Sequence, residues 1–163
     1  MKNNIFILNK VNEKIISELV NIYFSALNKF NFRNWSFQDF VDLINNGSSI
    51  FYYIKNNIIV GFSVVRFNED FTEIIIIAVD SNYQKMKIGQ NILNYIINNP
   101  DFKGYMILDV AKININAINF YKKFGFKKIG QRKNYYLIVK GDNAGQKIDA
   151  MVMQLKLKPT TFQ

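Results

Sequence analysis

The sequence predicts an α/β fold built on a mixed sheet, and three observations carry that reading. The chain has 163 residues, 49% of them hydrophobic, which is the length of one ordinary domain with enough apolar surface for a packed core. Runs with strand character alternate with stretches of helical periodicity from one end to the other. No internal repeat, linker or low-complexity segment interrupts them, so one domain is expected over residues 1–157, with a short tail over 158–163.

The elements follow in order. "IFILNK" reads as a short strand, and "NEKIISELVNIYFSALNKF" repeats apolar residues at helical spacing through Ile15, Ile16, Leu19, Ile22, Tyr23 and Ala26. Ser36 and Asp39 have the spacing of a capping box that opens a second helix, "SFQDFVDLINN", which Gly47 can end. In "SIFYYIKNNIIVGFSVVRF" two strands flank Asn56-Asn57, a hairpin signal because asparagine tolerates the positive φ of tight turns. "FTEIIIIAVD" is apolar on both faces, as a strand in mid-sheet should be. The pattern then changes to helix, strand, helix. "IGQNILNYIINN" carries Ile88, Ile92 and Ile96 on one face, "GYMILDV" is a strand, and "NINAINFYKKF" is a helix ended by Gly125. Two long strands, "FKKIGQRKNYYLIV" and "DAMVMQLKL", close the chain.

Composition narrows the chemistry. The absence of cysteine and histidine removes disulfides, thiolate nucleophiles, thiolate metal sites and the commonest base, so acid–base work falls to Asp, Glu, Tyr, Lys or water. Nothing at the N-terminus resembles a signal peptide, and no apolar run approaches the ~18 residues of a membrane span, so a cytoplasmic location is expected. A formal charge of +9 favours polyanionic partners such as nucleic acid, a membrane surface or a phosphorylated cofactor. The abundance of Asn, Ile, Lys, Phe and Tyr fits an A/T-rich coding bias, which reduces the weight of the lysine count.

The junction "IIIIAVDSNYQKMKIGQNIL" takes a buried strand through a polar loop into a helix. Free N–H groups and the positive end of the helix dipole suit a phosphate there, and Gly89 lets the backbone approach it. Further along, Asp109 ends an apolar strand and Tyr121 stands twelve positions later on the next helix. From the residues alone, Asp109 can cap a helix and Tyr121 can belong to the core, because it lies three and four positions after Ile118 and Ala117.

These segments resemble the GNAT acetyltransferases. Their acetyl-CoA loop reads Q/R-x-x-G-x-G/A; here Gln84 and Gly89 match its ends, and Lys87 stands at the first glycine. The later half is similar to the bacterial ribosomal-protein-alanine N-acetyltransferases, with Leu108, Val110, Asn114, Ala117, Tyr121, Gly125, Phe126, Arg132, Asn134, Tyr135, Tyr136, Asp149, Ala150 and Met153 in register. "NWSFQDF" is similar to a segment of the same family, with Asn34 in place of proline.

The resemblance implies a GNAT fold: a mixed, mostly antiparallel sheet flanked by helices, with a V-shaped splay between its two central strands. It implies acetyl-CoA as co-substrate, no metal, and direct acetyl transfer to an amine, expected to be the N-terminal alanine of a ribosomal protein. Asp109 takes the position of the family's glutamate base and Tyr121 that of its acid, a pair that needs neither His nor Cys. Such a base contributes ~10²–10⁴ in rate. Cofactor contacts are expected from Ile77, Ala78, Val79, Gln84, Lys85, Met86, Lys87, Ile88, Gly89, Gln90 and Asn114, and acceptor contacts from Trp35, Tyr135 and Tyr136. Lys87 is expected to be helical, its ammonium adding a phosphate contact. A GNAT enzyme for a small amine or another protein N-terminus, a weakened CoA-binding remnant and an RNA-binding module remain as other readings. Neither DNA nor a membrane is an expected partner.

Overall fold

The computed structural model describes residues 4–102 and 104–156. Strand β1 (Ile5–Leu8) leads into α1 (Glu13–Leu27), which Asn12 opens by accepting the Ile15 N–H at 3.0 Å. A 3-10 turn (Asn28–Phe30) and an extended connector follow, and α2 (Phe37–Asn45) starts on the expected capping box. Ser36 accepts the Asp39 N–H at 3.3 Å, and the Asp39 carboxylate accepts the Ser36 N–H at 2.6 Å. Gly47, at φ +87°, turns the chain out of that helix. Strands β2 (Ser49–Lys55) and β3 (Ile58–Phe67) form the hairpin across Asn56 and Asn57, whose φ values of 51° and 63° are those of a tight primed turn.

Strand β4 (Phe71–Val79), α3 (Ile88–Ile97), β5 (Tyr105–Ala111), α4 (Ile115–Lys123), β6 (Lys127–Leu137) and β7 (Lys147–Lys156) complete the fold. Among the described residues, seven strands form one sheet in the order β1-β2-β3-β4-β5-β7-β6, and β4 with β5 is its parallel pair. Each face is covered by two helices. On one, Ile16, Leu19 and Phe40 of α1 and α2 meet Phe62 and Val64 of the sheet; on the other, Ile92, Leu93 and Ile96 of α3 meet Phe51, Met106 and Leu108. Burying each of these side chains contributes roughly 1.5–3 kcal/mol. The tail expected over 158–163 lies outside the described residues.

Two irregularities shape the sheet, one at its centre and one on its edge strand β6. Val64 pairs with Ile76 and Val65 with Ile74, so Ile75 is an extra residue in β4, a bulge beside which the buried Ser63 hydroxyl donates to the Ile76 carbonyl at 2.9 Å. From that point β4 and β5 part: Phe71–Ile74 pair with Tyr105–Leu108, and Ile75–Val79 have no partner in β5. This is the expected V-shaped splay, and the bulge bends the strand at its apex. The second irregularity lies within β6, which is the long strand expected from "FKKIGQRKNYYLIV". Arg132 pairs with Ala150 and Tyr136 with Ile148, leaving Lys133, Asn134 and Tyr135 opposite Asp149 alone. Asn134 takes φ +55°, and its N–H is accepted by the Asp149 carboxylate at 2.9 Å.

Candidate active site

The fork of the V opens into a cleft of about 740 Å³. Ile77, Ala78 and Val79 from β4, Gln84, Lys85 and Lys87 from the loop, Ile88, Gly89 and Gln90 from the first turn of α3, and Asn114 at the head of α4 all line it. Ten of the eleven expected cofactor residues are thus gathered there. Met86 is the exception: it points outward, 49% exposed, with its sulfur against the Lys55 ammonium at 3.8 Å.

The loop is tied down at both ends. The Ser81 N–H is accepted by the Ser25 hydroxyl of α1 at 2.9 Å, and the Gln84 amide donates to the Val79 carbonyl at 3.1 Å, so the signature glutamine closes the loop onto its own strand. Lys87 is not helical: it caps α3 at φ +61°, and Lys85 has φ +64°. The expectation of a helical Lys87 is therefore corrected. The chain leaves β4 through a 3-10 turn and must reverse sharply to aim α3 back along the sheet, and left-handed residues provide that reversal where glycine is absent. The first N–H groups of α3, without partners inside the helix, belong to residues that line the cleft. A Cβ added at Gly89 would make ordinary contacts, 3.6 Å from both Phe120 and Val79, so packing within the protein does not demand glycine there.

Sequence reasoning missed the second wall of the cleft. Asn116, Ala117, Asn119, Phe120, Lys123 and Phe124 follow one stripe of α4 and its C-cap, and Lys29 and Phe30 come from the 3-10 turn after α1. The signal was the three- and four-residue spacing along α4. The lining contains Lys29, Lys85, Lys87 and Lys123 and no Asp or Glu, a lining suited to a polyanion. Asn114 caps α4, accepting the Ala117 N–H at 3.2 Å, while also lining the cleft.

Neither Asp109 nor Tyr121 is among the residues that line the cleft, and the two lie on opposite sides of β5. Leu108 and Val110 are buried in the same core as Tyr121, so the alternation of β5 turns Asp109 to the other face. Tyr121 packs against Phe120 and Phe126 with ring centroids 5.3 and 5.5 Å away, and burial pushes its phenol above the ordinary tyrosine range. It is therefore protonated at neutral pH, the state a donor requires. The Asp109 side chain, 17% exposed, receives the Arg132 Nε on both carboxylate oxygens at 3.2 and 3.0 Å. Arg132 was not among the expected site residues, although it lay in the resembling stretch.

The Tyr136 hydroxyl donates to the Asp109 carbonyl at 3.5 Å, and its ring stacks on Phe32 at 4.9 Å. Burial raises its phenol, with smaller contributions from Tyr135, Asp109, Tyr121 and Tyr23. Tyr135 is 53% exposed and sits edge-on to Tyr136 at 5.0 Å. Trp35, expected to contact the acceptor, stacks on Tyr23 at 5.2 Å and meets Phe40 edge-on, so it packs with the core residues of α1 and α2. Burial pushes the Tyr23 phenol up to about 12. Among the described residues no group of three or more His, Cys, Asp or Glu could hold a metal ion, and no helix is long and apolar enough to cross a membrane.

A sheet parted at its one parallel pair, with a cationic cleft in the fork, is the architecture of the GNAT N-acetyltransferases. Residues 13–126 match the acetyltransferase (GNAT) family, and the chain belongs to it. It is similar to the ribosomal protein bS18-alanine N-acetyltransferase of Escherichia coli, 27% identical over 125 residues that cover 76% of this chain and 81% of the relative. The crystal structure of the E. coli ribosomal-protein-S18-alanine N-acetyltransferase superposes with a TM-score of 0.78 at 22% identity, covering 98% of this chain and 99% of that one. A GNAT family acetyltransferase from Elizabethkingia anophelis with acetyl-CoA bound superposes with a TM-score of 0.68 at 20% identity, covering 96% and 100%. This chain is accordingly an N-acetyltransferase.

Proposed function

We propose that this enzyme transfers the acetyl group of acetyl-CoA to a protein N-terminus, with the N-terminal alanine of a ribosomal protein as the acceptor. The observation that carries the reading is the parted strand pair, which has a lysine-rich, carboxylate-free cleft in its fork and the Asp109 carboxylate on the opposite face. The cleft fits a CoA thioester. The loop and the first amides of α3 would hold the pyrophosphate, aided by Lys85 and Lys87, and the free backbone row of Ile75–Val79 would pair with the amides of the pantetheine arm.

Acetyl-CoA supplies the activated acyl group, and the protein's residues manage protons. Asp109 takes one proton from the acceptor ammonium, through an ordered water because aspartate is one methylene shorter than glutamate. The free amine then attacks the thioester carbonyl, an N–C bond forms, and the C–S bond breaks. Tyr121 donates its hydroxyl hydrogen bond to the departing sulfur, which leaves as CoA thiol. The attacking nitrogen loses its second proton as the amide forms, so of the two protons released one ends on sulfur and one in solvent. The similarity to the bS18-alanine enzyme supports a peptide acceptor.

The test is an acetyl transfer assay with peptides of different N-terminal residue, including the alanine-starting ribosomal sequence, beside lysine side chains and polyamines. Highest turnover on the alanine peptide is expected. Preference for a polyamine would reassign the acceptor to a small amine, and tight acetyl-CoA binding with no transfer to any amine would make the chain a CoA-binding remnant.

A further inference from the structure

We propose that Arg132 is a positioning residue of the transfer reaction: its guanidinium, at the start of the β6 bulge, fixes the Asp109 carboxylate and favours the uncharged form of an amine bound beside it. The inference rests on the reading of Asp109 as the base.

Three observations carry it. First, one Nε–H is shared between both carboxylate oxygens, at 3.2 and 3.0 Å, which aligns the carboxylate while leaving acceptor sites on each oxygen for an amine or a water. Second, the ion pair has no evident structural duty. The Arg33–Asp39 pair sits on a capping box at the start of α2, whereas Asp109 lies within β5, its backbone already paired with Val152. Arg132 itself is 54% exposed, and exposed pairs contribute little to stability. Third, the backbone at Arg132 is fixed on both sides: Arg132 pairs with Ala150, and the bulge that follows is anchored where the Asp149 carboxylate accepts the Asn134 N–H. The Tyr135 ring, 5.7 Å from the guanidinium carbon, orients it further.

The chemistry follows from charge. An acceptor arrives as R–NH3⁺ and reacts as R–NH2, the proton passing to the Asp109 carboxylate or to a water it holds. A fixed positive charge beside that nitrogen disfavours the ammonium and leaves the amine untouched. Repulsion of the arriving cation therefore weakens ground-state binding while promoting the reactive form. The other groups around the pair are Glu73 on β4, which is bonded to Arg66 of β3 at 3.3 Å, Tyr135 and Tyr136 on β6 and Asp149 on β7, while Tyr23 on α1 and Tyr121 on α4 act on Tyr136 and not on the pair. Glu73 opposes Arg132, but its own cation offsets it.

The experiment compares Arg132→Gln and Arg132→Lys with wild type, using the best acceptor of the peptide panel at saturating acetyl-CoA across pH. Arg132→Gln is expected to lower kcat about tenfold, leave the acceptor KM unchanged or lower, and move the acidic limb of kcat up by about one pH unit, the effect of losing one nearby charge. Arg132→Lys keeps the charge and should keep the limb near its wild-type position with intermediate kcat. Either of two results overturns the proposal: an Arg132→Gln limb and kcat matching wild type, or a raised KM at unchanged kcat, which would make Arg132 a simple binding contact. Asp109→Asn run in parallel separates the two ideas. Wild-type turnover in Asp109→Asn removes the base, and the proposal with it, whereas a dead Asp109→Asn beside an unmoved Arg132→Gln profile defeats the Arg132 proposal alone. A panel without any acceptor defeats both.

Discussion

The two sides of the gap are built by different means. The proposed cofactor wall is a local product: one strand, the loop after it and the helix after that run consecutively from Phe71 to Ile97, and backbone amides and nearby lysines would supply its chemistry. The proposed acceptor wall is assembled from distant segments, with Asp109 on β5 and Arg132 and Tyr136 on β6, and side chains beside a bulge would supply its chemistry. A local site tolerates substitution because its backbone persists, whereas a site of converging side chains fails at a single position. Mutations on the acceptor wall should therefore change turnover with cofactor affinity intact, and mutations in the loop should do the reverse.

The largest expected effect breaks the acceptor wall. Asp109→Asn should lower transfer ~10²–10⁴-fold with the acetyl-CoA Kd unchanged by calorimetry, and raising the pH toward the acceptor's own range should recover part of the loss. Turnover within twofold of wild type would mean that Asp109 is no base. Tyr121→Phe keeps the packing against Phe120 and Phe126, so Tm should hold while kcat falls about 10²-fold. Rapid-quench measurement should assign that defect to C–S cleavage, and a silent variant would return Tyr121 to the core.

On the cofactor wall, Lys87→Gly removes a side chain from a left-handed position and should raise stability by about 1 kcal/mol. Loss of the ammonium should weaken acetyl-CoA binding about two- to fivefold without affecting turnover at saturation, and a clear gain in affinity would contradict a phosphate contact there. The smallest effect touches neither wall. The hydrogen bonds from Arg33 hold the Asp39 carboxyl at about 2, against the opposing effect of burial. Because the folded value is depressed below the ordinary 3.8, the pair adds stability above pH ~4 and loses it as pH falls toward ~2. Both partners reach solvent, so the contribution is below about 1 kcal/mol. Thermal melts of Asp39→Asn should lack that part of the acid-induced fall in Tm, and a wild-type melt flat between pH 4 and 2 would refute it.

What was legible in the sequence follows the same division. The Ser36–Asp39 box, the Asn56-Asn57 turn, the buried stripe of Ile88, Ile92 and Ile96 and the stop at Gly125 depend on residues within a few positions of one another, and they stand where the pattern put them. The cofactor loop was legible for that reason too. The left-handed Lys87 was not, because lysine gives no local sign of a conformation that the strand-to-helix reversal imposes. The pairing of Arg132 with Asp109 spans 23 positions and depends on β7 entering between β5 and β6, and on a bulge that Asp149 stabilises from the neighbouring strand. No periodicity encodes such an arrangement. The stripe of α4 that lines the cleft fell between the two cases: its spacing was visible, but the orientation of the helix over the fork was not.

The splay has a consequence for the protein at rest. Beyond Ile74, β4 presents a row of backbone groups with no partner strand, so this sheet has a third edge, located in its middle. Sheet edges invite added strands, and outer ones are usually guarded by charge, twist or cover. Here the guard is depth: the edge opens only into a narrow cleft between two helices, where a flexible arm carrying amides can lie down as a surrogate strand and another protein cannot. Every second amide of Ile75–Val79 should then exchange its hydrogen readily in the free enzyme and slowly once the arm is seated, so occupancy of the cleft is written in solvent protection of the sheet's own interior.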